Sequence, residues 1–400
     1  MSAALSLRTR DGGSHVSLVE RLTAIWSRVL RVSPVGPDSN FFDLGGDSLL
    51  AVGLFLEIEQ ETGIKLPITT IYDASTVAEM AELIAADTAP EFSPLVLLKP
   101  GDSGAPLFIV HGIGGTVVEL AALGRKIRIS EPVYALQAQG IDGALPPLDT
   151  IEGMTGLYLD RVRQMQPQGP YWLCGYSFGG LVALEMARRL ACEHEEIASL
   201  IMMDAYAHPS TWPFVSRVKM RTRRVLLRMG ECAQAPLRES APLLLRNVEM
   251  LMARAGDILA PNHRNSGNLR QKSLRNWLLD RNPDLPLSLL RVREAGSAAL
   301  SAYVPRYYPG NVIFLKAAHR DAEFPDDPQR IWRHLVQDMT VHTVPGSHRS
   351  IVTEHAATVA ARLTACLAVA RQRRARQSIA GTIGIRELAK KTHLEEAHAV

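Results

Sequence analysis

The chain has 400 residues, 46% of them hydrophobic and 21% charged, with 44 Lys and Arg against 41 Asp and Glu for a formal net charge of +3. That length suggests two or three domains, and the composition is ordinary for soluble globular chains. A net charge this small predicts no class of partner, and no nucleic acid is expected. Four scattered cysteines (Cys174, Cys192, Cys232, Cys366) with no C-x-x-C pair give neither a zinc site nor a disulfide framework, so no metal is expected.

Met1 to Gly13 lacks the apolar core of a signal peptide, and no run approaches 18 apolar residues. A cytoplasmic protein without a membrane span is the expectation. Residues 15–87 read as a small α-helical bundle. Leu18, Val19, Leu22, Ile25, Trp26, Val29 and Leu30 recur at helical spacing behind Ser17, a candidate N-cap. A loop from Ser33 to Asn40 follows, then a helix from Ser48 with Leu49, Val52, Leu54, Phe55 and Ile58 as its apolar set, then a last helix over Thr76 to Ala86. Residues 88–104 carry Pro90, Pro94, Pro100, Gly101 and Gly104 and read as a linker.

From 105 to 370 short apolar runs alternate with helical patterns: Leu107–Val110, Pro132–Leu136, Tyr171–Cys174, Leu200–Met203, Val312–Leu315 and Met339–Val344. Alternation of this kind predicts an α/β domain with a mostly parallel sheet. It breaks at 205–305, a helical, Arg-rich stretch that reads as an insertion. The tail, 371–400, is polar and basic at first, with a helical pattern from Ile385.

The strongest chemical signal is G-Y-S-F-G-G over Gly175–Gly180. It follows one apolar run and opens a helical pattern through Leu181, Leu184 and Ala187. G-x-S-x-G between a strand and a helix is a nucleophile elbow, whose sharp turn holds the serine at the helix N-terminus. Ser177 is the candidate nucleophile, and the competing reading is a glycine-rich turn without chemistry. Such a serine needs a base oriented by an acid, both later in the chain. Asp204 ends the run Leu200–Met203, on the sheet edge where reacting groups gather; Asp321 is its rival, and a plain turn cap the bland alternative. His348, in V-P-G-S-H-R-S past the last strand, is the candidate base ahead of His111, His319, His342 and His355. The oxyanion hole is assigned to the backbone N–H groups of Ile113, in H-G-I-G-G, and Phe178.

A second signal is F-F-D-L-G-G-D-S-L-L over Phe41–Leu50. Gly45 and Gly46 make a turn, and Ser48 starts a helix, where free N–H groups favour an anion. By chemistry alone Ser48 is equally well an N-cap. The L-G-G-D-S-L segment makes residues 15–87 resemble the acyl or peptidyl carrier domains of modular synthases. Ser48 then takes phosphopantetheine, with Asp47 where many such carriers have His. Residues 93–370 resemble the type I thioesterase domain of nonribosomal peptide and polyketide assembly lines, an α/β-hydrolase fold with the 205–305 insertion as its lid. The matching residues are G-Y-S-F-G, Asp204 and G-S-H at 346–348.

The resemblance implies transfer of an acyl, peptidyl or polyketide chain from Ser48 to Ser177, then release by hydrolysis or cyclisation. It also implies upstream synthase or synthetase modules and a phosphopantetheinyl transferase as partners. The alternatives are a free-ester hydrolase with a tethering carrier, or a non-catalytic docking protein. With Met1 initiator-like and no synthetase module ahead of it, a free-standing releasing protein is expected. Residues 15–90 hold four Lys/Arg against eleven Asp/Glu, and 206–306 seventeen against seven. This split suggests electrostatic docking of Asp47, Glu57, Glu59 and Glu61 on Arg217, Arg221, Arg223 and Arg224.

Overall fold

The computed structural model describes residues 12–46, 48–68, 70–86, 92–218, 220, 222, 286–319 and 324–397. The first unit is a helical bundle of α1 (Gly12–Leu30), α2 (Ser48–Thr62), α3 (Thr70–Asp73) and α4 (Val77–Ala85). The three longer helices follow the apolar periodicity, whereas α3 is one turn and too short for a 3.6-residue period to register. Helix α1 begins five residues ahead of Ser17, because a polar first turn adds nothing to an apolar pattern. Leu22, Ile25 and Trp26 of α1, Leu54 and Ile58 of α2, Met80 of α4, and Phe41 from the loop between α1 and α2 are fully buried together. Each contributes about 1.5–3 kcal/mol by leaving water. Thr76 and Glu79 close a capping box at the start of α4, each side chain accepting from the other's backbone N–H.

The second unit is a seven-stranded sheet in the order β1-β3-β2-β4-β5-β6-β7. Its strands are β1 (Leu95–Lys99), β2 (Leu107–Val110), β3 (Val133–Leu136), β4 (Tyr171–Tyr176), β5 (Ile197–Met203), β6 (Tyr308–Ala317) and β7 (Val336–Val344). β1 pairs antiparallel with β3, and every other pairing is parallel. β1 corrects the linker expected over 88–104. Pro94 and Pro100 flank a strand at the sheet edge, where a missing N–H breaks no ladder.

Alternation along the strands sorts two cores. Tyr171 and Leu173 face α6 (Ile151–Met165) and α7 (Phe178–Cys192), while Trp172 and Cys174 face α5 (Val118–Lys126) and α10 (Ala356–Ala397). Between them in the chain lie α8 (Leu287–Ala302) and α9 (Pro328–Trp332). Helix α10 runs without a break through Arg371, so the tail at 371–400 is not a separate segment with a helix from Ile385. No Gly or Pro interrupts Ala356 to Ala380, and nothing there stops the helix. Of the 205–305 insertion, residues 223–285 lie outside the described residues, as does the Asp321 alternative. Among the described residues no helix is long and apolar enough to cross a membrane.

Candidate active site

Ser177 sits between β4 and α7 at φ 54°, ψ −119°, a conformation that L residues adopt only under constraint. Small neighbours permit the turn. A Cβ on Gly175 would lie 2.2 Å from the Gly179 carbonyl oxygen, and one on Gly179 would lie 2.2 Å from that of His111. The Ser177 N–H donates to the Met203 carbonyl at 2.9 Å, which ties the elbow to the end of β5.

Asp204 follows β5 directly, 1% exposed and at φ 47°. Its Oδ1 accepts from the Ala317 N–H at 3.2 Å, and its own N–H donates to the Leu315 carbonyl at 2.8 Å, so both ends are held by β6. Oδ2 is 2.9 Å from His348 Nδ1, and His348 Nε2 is 2.8 Å from Ser177 Oγ. The carboxylate accepts the Nδ1–H, which leaves Nε2 to accept the serine hydroxyl. The three candidates read from the sequence thus meet as one hydrogen-bonded row.

The ring of His348 lies between two aromatic rings, Phe324 at 4.1 Å and Tyr176 at 5.4 Å between centroids. The Tyr176 hydroxyl also donates to the His348 carbonyl at 2.7 Å. These neighbours hold the imidazole plane, and no sequence motif points to them. Only the position of Tyr176, next to Ser177, offered a signal.

His111 is buried, and its ring nitrogens bond to Gly112 and Tyr158 rather than to Ser177. Its Nδ1 is 2.5 Å from the Gly112 carbonyl, which only accepts, so Nδ1 carries the proton and Nε2 accepts from the Tyr158 hydroxyl at 2.7 Å. Burial lowers its pKa to about 4, against the weaker opposing effect of the Gly112 carbonyl, and the ring stays neutral. It stacks on Phe178, 6.1 Å between centroids, and so sets the His111–Gly115 loop against the start of α7. The Phe178 N–H opens that helix, where the aligned dipoles favour negative charge. Ile113 belongs to the facing loop. Behind it the carboxylate of Glu119 reaches Gly112. Burial raises its pKa to about 7, against the Gly112 N–H and the charge of Arg293.

The other histidines stand apart from this row. His342 lies in β7, His319 is exposed, and His355 packs beneath Gly346, whose φ of 97° turns the loop that presents His348. Among the described residues no group of three or more His, Cys, Asp or Glu could hold a metal ion.

Ser48 opens the 15-residue helix α2. The turn before it is tightly built: Gly45 has φ 89°, and a Cβ on Gly46 would lie 2.3 Å from the Phe41 ring. A serine at the head of a helix, behind a turn that uses a positive φ at Gly45 and close approach at Gly46, fits a covalent phosphodiester.

Sheet order, elbow and the Ser–His–Asp row define the α/β-hydrolase class of fold. The chain belongs to the thioesterase domain family, whose model matches residues 105–367. A phosphopantetheine attachment site domain matches residues 20–84, so phosphopantetheine is the cofactor of this chain. The family makes it a hydrolase acting on thioesters.

The chain is 32% identical over 306 residues to a dimodular nonribosomal peptide synthase of Bacillus subtilis (strain 168), covering 76% of this chain and 12% of that protein. It is 35% identical over 186 residues to indigoidine synthase of Dickeya dadantii (strain 3937), covering 46% of this chain and 12% of that one. It thus spans about an eighth of the length of these two relatives. A crystal structure of a four domain nonribosomal peptide synthetase bound to AMP and glycine aligns at 24% identity and a TM-score of 0.48, over 93% of this chain and 26% of that one.

Proposed function

We propose that the chain releases an acyl, peptidyl or polyketide product held as a thioester on its own carrier domain, with Ser48 as the attachment site and Ser177 as the nucleophile. The observation that carries this reading is the row Ser177–His348–Asp204, at 2.8 and 2.9 Å, in a chain that also holds a phosphopantetheine attachment domain. When attached, the arm supplies the thiol whose acyl thioester is the substrate.

Ser177 Oγ attacks the thioester carbonyl while its proton passes to His348 Nε2. Asp204 holds Nδ1 and stabilises the imidazolium. The N–H groups of Ile113 and Phe178 receive the oxyanion, a contribution of about 3 kcal/mol for each such donor. As the C–S bond breaks, His348 returns its proton to the departing thiolate, leaving the acyl group as an ester on Ser177. Water, or a hydroxyl or amine of the acyl chain, then attacks with its proton going to His348. The ester C–O bond breaks and Ser177 Oγ recovers a proton. The first nucleophile gives hydrolysis and the second a ring. Upstream synthase or synthetase modules that load the arm, and a phosphopantetheinyl transferase that installs it, are the partners this reading requires. The match of residues 105–367 to a thioesterase family model favours it over a free-ester hydrolase.

The test uses two variants. Ser177→Ala should stop release while Ser48 still loads, and Ser48→Ala should lose the phosphopantetheine mass yet still hydrolyse a soluble thioester. Turnover by Ser177→Ala above a tenth of the unmodified rate would overturn the assignment.

A further inference from the structure

The F-F-D that precedes the Gly45–Gly46 turn has no part in the chemistry above, yet it lies against the hydrolase unit. Arg125, in the last turn of α5, donates to Asn40 Oδ1 at 3.1 Å, pairs with Asp43 at 3.4 Å and lies 4.7 Å over the Phe42 ring. Asn40 Oδ1 also accepts from the N–H groups of Phe42, at 3.0 Å, and Asp43, while its amide donates to Ser75 at 2.8 Å. Arg125 therefore grips the residue that shapes the loop leading to Ser48. The Phe42 ring packs against Tyr72 of α3, 5.5 Å between centroids and tilted by 31°, and Glu119 and Arg125 act in opposite senses on the buried Tyr72 hydroxyl. Val118 of α5 completes this contact from inside the carrier's own core.

A second contact is apolar. Val52 of α2 packs with Ala138, Ile141, Leu289 and Val292, all under 9% exposed. Val292 in turn touches the oxyanion loop at Gly115, where an added Cβ would lie 2.2 Å from it. Ser48 is one helical turn, about 6 Å, before Val52.

Resting on the reading of Ser48 and Ser177 above, we propose that Arg125 is the specificity-determining residue of carrier docking. It reads Asn40, Phe42 and Asp43, and so seats the head of α2 beside the loop that bears Ile113. Two of the four carrier acidic residues expected to dock are otherwise engaged, since Glu57 and Glu61 pair with Arg28 of the carrier itself, at 2.8 and 2.5 Å, and Arg217 of the expected basic set lies 5.8 Å over the Phe214 ring. Asp47, Arg221, Arg223 and Arg224 lie outside the described residues.

The test is a charge swap in the full chain. Ser48 is loaded from octanoyl-coenzyme A by a phosphopantetheinyl transferase, and the loss of the octanoyl mass from the loaded fraction is timed. Hydrolysis of octanoyl-N-acetylcysteamine by the same variants is the control. Arg125→Glu should slow the emptying of Ser48 by about tenfold, since it loses the Asn40 and Phe42 contacts as well as the pair, and Asp43→Arg by about threefold, since it reverses only an exposed pair. Hydrolysis of the soluble thioester should stay within about twofold. The double variant restores the ion pair but neither the ring contact nor the hydrogen bond to Asn40, and should recover part of the rate, running faster than either single variant. Single variants at the unmodified rate, a double variant no faster than the singles, or equal loss on both substrates would overturn the proposal. An unmodified chain that hydrolyses the soluble thioester but never empties Ser48 fails at the proposed function itself and takes the docking role with it.

Discussion

His348 is held from four directions: Asp204 at Nδ1, Ser177 at Nε2, and the rings of Phe324 and Tyr176 on its faces. Asp204→Asn keeps the shape but loses the acceptor that selects the productive tautomer. Its kcat on a soluble thioester should fall by about three to four orders of magnitude, with KM little changed. His111 offers a separate test, through stability. Its pKa is about 4 in the folded chain, below the usual 6.5, because burial opposes the charged ring. The unfolded chain therefore binds a proton that the folded one refuses, and stability falls as pH drops from about 6.5 toward 4. The loss should reach about 3 kcal/mol by pH 4. Urea midpoints across that range should decline more steeply for the unmodified chain than for His111→Gln. Parallel slopes would mean that His111 is protonated in the fold.

At the scale of elements, α10 shows how one helix divides its work. Val359, Ala360, Leu363 and Leu367 are buried against the sheet, while Val369 is 49% exposed. Further along, Arg371 pairs with Glu131 at 2.5 Å and lies 5.4 Å over the Trp172 ring, so the helix stays on the sheet beyond its apolar stripe. Leu363→Ala should cost about 2–5 kcal/mol and Val369→Ala under about 0.5 kcal/mol in denaturant titrations. Similar costs would place the helix off the sheet. The elbow is the other element whose geometry matters. β4 ends, the chain turns at Ser177, and α7 begins at the next residue, so the hydroxyl and the Phe178 N–H share one rigid corner.

At the scale of the whole molecule, the contact between carrier and hydrolase among the described residues is mainly apolar, with one ion pair at its edge. Arg125 and Asp43 are 31% and 75% exposed, so solvent and salt screen them. The opposite charges of the two segments suggest a strong salt dependence; the contacts around Val52 and Tyr72 do not. Raising salt from about 50 to 150 mM should change transfer from Ser48 to Ser177 by less than about twofold. A drop of tenfold or more would return the docking to the charged segments.

Much of this was legible in the sequence because it is local. The elbow over Gly175–Gly180, the turn and serine over Gly45–Ser48, and the alternation in Tyr171–Cys174 each lie within a few residues, and backbone sterics and side-chain period act at that range. The order serine, acid, histidine narrowed the partners of Ser177 further. The tertiary structure decided the rest. His348 and Asp204 are 144 residues apart, and only the adjacency of β5 and β6 with the loop past β7 brings the histidine within 2.9 Å of the aspartate. Phe324 and Tyr158 reach the site without any motif, since what qualifies them is a ring at the right place. β1 escaped notice because its flanking prolines resemble a linker until an edge strand makes them harmless. Arg125 and Asn40, 85 residues apart, carry no pattern that periodicity could reveal. Spacing along a chain encodes which face a residue takes, whereas which faces meet depends on how the sheet orders its strands and where the bundle comes to rest.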